Sequence, residues 1–235
     1  VSTALVVGLH VDDFAGIVQG HAAAARSHSL GVLTPGFSLL DLVRQDLERM
    51  LPLDAHEMTG GKLHISLTNT RTFCNEQVSE FQSRDDLISA CLASCYIPGL
   101  TGKTRPEFRG AFDHIDGGPT DNWPEHASAQ TLQFSPFCGS FGVSPADAGA
   151  FIRLKIPFQP AQVSASWQNV RMYVKQSISN SNQAVYPVLS CCRGVNTLFP
   201  PDAEGMEAVF ELGFNDCKQY LDDAGVAAAA ASVAP

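Results

Sequence analysis

The residues best placed to do chemistry lie together in one stretch, Phe112-Asp113-His114-Ile115-Asp116-Gly117-Gly118-Pro119-Thr120-Asp121-Asn122-Trp123-Pro124. Three acids and a histidine stand within nine residues, and Asp116 runs directly into two glycines and a proline. A carboxylate held at the end of a buried strand can take up or deliver a proton. That position, ahead of a tight loop, is where α/β folds commonly place functional side chains. The apolar residues Phe112 and Ile115 predict the strand, Gly117 and Gly118 permit φ > 0 and close backbone approach, and Pro119 ends the pairing. The same residues also read as a surface turn whose aspartate caps its own backbone. Taken alone, the stretch leaves both readings open.

The elements that must position it follow from pattern. Val1–Leu9 is apolar from its first residue, without a capping residue, as if the chain entered a helix midway. Val11–Ser29 is a second helical stretch, with Asp12 and Asp13 in its first turn, and 31–36 is a loop. Helical spacing resumes from Phe37 through Leu47 and Leu51 and stops at Pro52, and 54–61 is a turn-rich connector. Lys62–Thr68 alternates with period two and predicts a strand beside which His64 packs, and Gln77–Phe81 predicts a weaker one. Ser83-Arg84-Asp85-Asp86 is a capping pattern that opens a helix through Leu87, Ile88, Cys91, Leu92 and Cys95, stopped at Pro98. After a polar loop over 99–109 comes the acidic stretch itself. Thr131–Phe137 predicts another strand, 171–192 has no sustained period, and Leu198-Phe199-Pro200-Pro201 precedes a helix over Glu204–Ala224.

Composition narrows the function. With 235 residues, 45% of them hydrophobic, the chain can bury one substantial core. A net charge of −9, with no basic run longer than two residues, argues against nucleic acid as a partner and against basic attraction to a membrane surface. An apolar mode of membrane contact stays open. The seven cysteines form no CxxC pair, so they read as reduced and intracellular, and no second ligand pair has metal-finger spacing. Neither a signal peptide nor an apolar run of spanning length is expected. Cys138-Gly139-Ser140-Phe141-Gly142 falls short of a nucleophile elbow because Cys138 stands where glycine is needed, so Ser140 reads as a loop serine.

Several motifs then combine in order. Gly61-Lys62-Leu63-His64-Ile65-Ser66-Leu67-Thr68 is followed by Val78-Ser79-Glu80-Phe81 and Ser83-Arg84-Asp85-Asp86-Leu87-Ile88. Next come Ser94-Cys95-Tyr96-Ile97-Pro98, Phe108-Arg109-Gly110, Ile115-Asp116-Gly117-Gly118 and Asp121-Asn122-Trp123-Pro124, and later Ser135-Pro136-Phe137-Cys138-Gly139 and Leu198-Phe199-Pro200-Pro201. In this the chain resembles the patatin-like phospholipase family, in its adipose triglyceride lipase and adiponutrin branch. The resemblance covers nearly the whole chain apart from 171–192 and the tail.

The resemblance implies an α/β fold, a three-layer α/β/α sandwich here lacking its first strand and nucleophile elbow. It implies a patatin-like domain over 1–225, with 171–192 as an insertion and 226–235 as a disordered tail. It further implies a Ser–Asp dyad that hydrolyses lipid acyl esters, triacylglycerol first among them, with Asp116 as the base. A serine hydroxyl is a poor nucleophile until a base within reach accepts its proton, and in a dyad a carboxylate fills that role without histidine. Gly117, Gly118 and Asn122 would form the motif loop, and Asp113 and His114 would be neighbours rather than participants. The implied partners are a neutral lipid or phospholipid substrate, a lipid-droplet or membrane surface in the cytoplasm and a protein coactivator, with no cofactor and no metal. The family's Gly-x-Ser-x-Gly elbow and glycine-rich oxyanion loop are missing from residues 1–235. In this branch the elbow leads into a helix resembling Val1–Gly8, so the nucleophile is expected shortly upstream of Val1; Ser2 lacks the flanking glycines. The alternative is a non-catalytic lipid-surface or coactivator-binding module.

Overall fold

The computed structural model describes residues 2–121 and 199–223, together with positions 124, 134, 143, 154–155 and 185–186. The chain divides into two units between Glu125 and His126.

The first unit carries the acidic stretch. Helix α1 spans Ser2–Val6 and α2 spans Val11–Arg26, with Asp12 and Asp13 in its first turn and Arg26 in its last, each favourable to the helix dipole. A 3₁₀ turn at Gly31–Leu33 precedes α3, Leu39–Met50, whose cap Ser38 accepts a hydrogen bond from the Asp41 amide at 3.2 Å. The expected connector over 54–61 holds a short helix, α4, Ala55–Thr59. Thr59 is fully buried, and its hydroxyl is satisfied by the Ala55 carbonyl at 2.8 Å.

Three strands make one antiparallel sheet in the order β2-β1-β3, with β1 Ile65–Asn69 central, β2 Asn75–Val78 and β3 His114–Asp116. Ile65 pairs with Val78 and Thr68 with Asn75 on one side, and Leu67 pairs with Asp116 and Asn69 with His114 on the other. The first strand starts three residues later than the alternation predicts. The amides of Lys62 and Leu63 still donate to the Thr59 carbonyl, so 62–63 complete the turn of α4. The second strand is displaced towards its start for a similar reason. The Ser79 carbonyl is taken by Gly61 and that of Glu80 by Arg109, which leaves neither for the sheet ladder.

Helix α5, Arg84–Ser94, lies against β1 and β3, and the predicted cap is present: Ser83 Oγ accepts from the Asp86 amide at 3.1 Å. Asp86 reaches back to the Gln82 amide at 2.9 Å, one residue earlier than an ideal capping box. Arg109 then grips the Asp86 carboxylate through two nitrogens at 3.1 and 2.9 Å. It does so from a left-handed backbone, φ 50°, in a two-residue turn with Gly110, φ 77°, closed by the reciprocal bonds of Phe108 and Ala111. The core gathers Leu40, Leu51, Leu63, Ile65, Leu67, Leu87, Ile88, Leu92, Tyr96 and Phe108 between the sheet and the helices. Burial of this order, at about 25 cal/mol per Å² of apolar surface, is what holds three short strands together.

In the second unit a parallel bridge joins Phe134 and Val143, and two-residue strands β4, Leu154–Lys155, and β5, Val185–Tyr186, pair antiparallel. Val185–Tyr186 are the described residues of 171–192; the expected strand over 131–137 lies outside the described residues except for Phe134, as does the expected disordered tail over 226–235. The expected terminal helix is present as α6, Ala203–Asp223. No described helix is long and apolar enough to cross a membrane.

Candidate active site

Asp116 is the last residue of β3, so ladder pairing with Leu67 fixes its backbone on one side. On the other side its amide donates to the Tyr96 carbonyl at 3.1 Å, which ties the strand end to the segment leaving α5. Its side chain is half-buried, and Oδ1 accepts from the Gly118 amide at 2.7 Å. Among the described residues no second hydrogen bond reaches the Asp116 carboxylate. Burial pushes the carboxyl above its ordinary range, and the Gly118 amide pulls part of the way back. A half-buried carboxylate with a raised pKa, held by one backbone donor, is well suited to accept a proton from a neighbouring hydroxyl.

The glycines have different reasons to be there. At Gly117 the reason is close approach and not a left-handed φ. An added Cβ would come within 2.5 Å of the Ser66 carbonyl carbon and closer still to Ser66 O and Oγ. Gly118 supplies the amide that holds Asp116. Asn122 lies outside the described residues, as does Trp123.

Beyond Gly117 the chain turns sharply: the amides of Thr120 and Asp121 both donate to the Gly117 carbonyl, at 3.1 and 2.9 Å. The turn is fastened to the sheet by side chains. Ser66 Oγ donates to the Asp121 carbonyl at 2.8 Å, and Thr68 and Thr120 share a hydroxyl bond of 2.8 Å. Asn75 Nδ2 reaches Ser66 Oγ at 2.7 Å and Thr120 Oγ1 at 3.1 Å. From α5, Ser94 Oγ donates to the Ser66 carbonyl at 3.1 Å. Sequence reasoning missed Ser66, Ser94, Thr120 and Asn75. The signal available was the hydroxyl at alternate positions of β1, which reads as a solvent face until Asn75 and Thr120 are seen to cover it.

The other acidic-stretch residues are engaged elsewhere. His114 is buried, its Nε2 2.9 Å from Glu76 Oε2, with Phe108 edge-on at 5.3 Å between centroids. Burial raises the Glu76 carboxyl, but the hydrogen bonds from His114 and Asn69 outweigh this and hold it below its ordinary value. Asp113 pairs with Arg71 at 2.8 Å. His64 directly precedes β1 and is half-buried. Across the sheet end, Cys95 has its thiol pushed up to about 11, by burial first and then by the fields of Cys91 and Asp116. Cys95 thus lies within electrostatic reach of Asp116. One helical turn earlier, Cys91 Sγ stands 3.4 Å from Thr3 Oγ1, so the start of α1 lies at the same end of α5 as Asp116. Among the described residues no cluster of three or more His, Cys, Asp or Glu is placed to hold a metal ion.

The chain is similar to several known proteins. The chain is 34% identical over 201 residues to human patatin-like phospholipase domain-containing protein 4, covering 85% of this chain and 70% of that protein. It is 31% identical over 207 residues to the 1-acylglycerol-3-phosphate O-acyltransferase Pnpla3 of Mus musculus, covering 86% and 43%. With human patatin-like phospholipase domain-containing protein 2 it shares 36% over 226 residues, covering 96% and 40%. The chain belongs to the patatin-like phospholipase family. Membership makes the fold α/β, of which the described helices and small antiparallel sheet are a part. It spans about two-fifths of the length of the second and third of these relatives. No family model and no solved structure matches the chain.

Proposed function

We propose that this chain is the Asp116-bearing portion of a lipid acyl-ester hydrolase that works through a Ser–Asp dyad, on a three-layer α/β/α scaffold. The observation that carries the reading is the Asp116 carboxylate. It ends a strand, is half-buried and raised in pKa, and is held by one backbone amide at 2.7 Å. A base of this kind draws the proton from a serine hydroxyl as the oxygen attacks an ester carbonyl, and returns it to the departing alcohol. Water then repeats the sequence on the acyl-serine, and the fatty acid leaves. The names of the relatives, phospholipase and acyltransferase, agree with acyl chemistry on lipids in general.

The serine is proposed to lie upstream of Val1, because residues 1–235 contain no Gly-x-Ser-x-Gly. The contact between Thr3 and Cys91 supports this, since it brings the beginning of α1 to the end of α5 that Asp116 faces. Triacylglycerol is the proposed substrate and a lipid droplet or membrane in the cytoplasm the proposed site of action, with a protein coactivator as partner. The alternative for the 235 residues taken alone is a lipid-surface or coactivator-binding module without catalysis, since they carry no Gly-x-Ser-x-Gly.

The test is hydrolysis of a long-chain acylglycerol by the natural protein, including the sequence upstream of Val1. Asp116→Asn should abolish fatty-acid release while droplet association persists. Unchanged release in that variant would remove Asp116 from the mechanism.

A further inference from the structure

The turn that presents Gly118 to the Asp116 carboxylate is held from behind by a small polar cluster in which Asn75 joins Ser66 to Thr120. Asn75 opens β2, paired with Thr68 across β1, while Asp116 pairs with Leu67. Because successive side chains in a strand point to opposite faces, Asn75 lies on the face of the sheet away from the carboxylate. Its amide nitrogen reaches Ser66 Oγ at 2.7 Å, Thr120 Oγ1 at 3.1 Å and the Leu67 carbonyl at 3.2 Å. We propose that Asn75 is the positioning residue of the candidate active site, holding the 117–121 turn so that the Gly118 amide meets the Asp116 carboxylate.

Donor and acceptor accounting shows why an amide is needed. An NH₂ group only donates, so both hydroxyls it meets must send their own protons elsewhere. Ser66 sends its proton to the Asp121 carbonyl at 2.8 Å. Thr120 has two places for its proton, the Gly117 carbonyl at 3.4 Å and the hydroxyl of the fully buried Thr68 at 2.8 Å. The turn is thereby fastened at Gly117, Thr120 and Asp121, and Asn75 donates to both hydroxyls, Ser66 and Thr120, that reach the turn's carbonyls. Without it, Ser66 and Thr120 can swing, the turn loosens, and the 2.7 Å bond from Gly118 to Asp116 lengthens. The other groups near Asp116 are Cys95 on α5, and Asp113 and His114 on its own strand and approach. Asn75 makes no hydrogen bond to any of them, so its effect has to travel through the turn.

This inference rests on the proposed dyad, and two readouts separate them. In the natural protein, Asn75→Ala should lower kcat by about ten- to a hundredfold with KM nearly unchanged, as expected when a reacting group is misplaced rather than substrate lost. Burial of Asp116 is then less opposed by its backbone donor, so the acid limb of the pH–rate profile should move to higher pH. The carbon-13 resonance of the Asp116 carboxyl should titrate at correspondingly higher pH. Isosteric Thr120→Val, which keeps the shape of the turn, should move both in the same direction by less. Asn69→Ala weakens the β1–β2 connection through its bonds to Glu76 and the Arg71 amide, and should leave the limb where it is. An Asp116 titration unmoved in both Asn75→Ala and Thr120→Val overturns the positioning role, whatever the enzyme does. A shifted Asp116 titration with an unshifted pH–rate profile overturns instead the dyad on which it rests.

Discussion

Gly117→Ala isolates the packing that places the candidate base. The new methyl group would sit within 2.5 Å of the Ser66 carbonyl carbon, against 3.4–4 Å for an ordinary contact, and still nearer two Ser66 oxygens. Relief needs roughly 1 Å of separation between the turn and the central strand, since two of the three obstructing atoms are backbone. Ser66 cannot step aside cheaply, because it is bonded to Asp121, Asn75 and Ser94. Overpacking of this kind costs about 1–3 kcal/mol, and the loss of one or two neighbouring hydrogen bonds adds about 1 kcal/mol each. Thermal unfolding followed by circular dichroism should therefore fall by roughly 5–15 °C. Two other glycines calibrate the measurement. An alanine at Gly110 meets nothing within 4 Å, but φ is 77°, so it should cost about 1 kcal/mol through backbone strain alone. Gly213 meets nothing within 4 Å, and φ there is ordinary and helical, so Gly213→Ala should stabilise by about 1 kcal/mol. If Gly117→Ala unfolds within about 2 °C of the parent, or milder than Gly110→Ala, the close approach is not what keeps glycine there.

Three further perturbations follow from the same contacts. Ser83→Ala removes the cap of α5 and should cost about 1 kcal/mol in urea unfolding, with an unchanged m-value. Glu76 is held below its ordinary pKa, so its contribution is present above the unfolded-state value and lost as pH falls through the folded one. The stability gap between parent and Glu76→Gln should accordingly be widest near neutrality and shrink in acid. Asp116 has the opposite sign: its raised pKa favours the folded state only when protonated, and that advantage fades as pH rises. Asp116→Asn should therefore be as stable as the parent or more so at neutral pH, measured by the same thermal unfolding.

Much of this site can be read along the chain because its signals are local. The run from Ile115 to Gly118 predicts a strand ending in an acid and a tight turn, and β3 ends at Asp116 with the turn beginning at Gly117. Ser83 and Asp86 predict a capped helix for the same reason, since a cap is a matter of three residues. What the sequence conceals is non-local. Asn75 and Thr120 are 45 residues apart, and neither is distinguished by type or spacing; only strand register brings them together over Ser66. Register also decides that Lys62 and Leu63 finish α4 instead of starting β1. The freedom expected of Gly117 in φ is unused, because the Ser66 backbone that crowds it is 51 positions away. Asn122 and the predicted strand over 131–137, apart from Phe134, lie outside the described residues.

The central claim is that Asp116 activates a serine supplied by sequence upstream of Val1. A long-chain fluorophosphonate, which reacts only with an activated serine, measures this directly in the natural protein when the labelled peptide is identified. The account predicts a label on a serine outside residues 1–235, with the labelling rate collapsing in Asp116→Asn while thermal unfolding stays intact. A label on Ser140, or equal labelling rates in the two proteins, would contradict it.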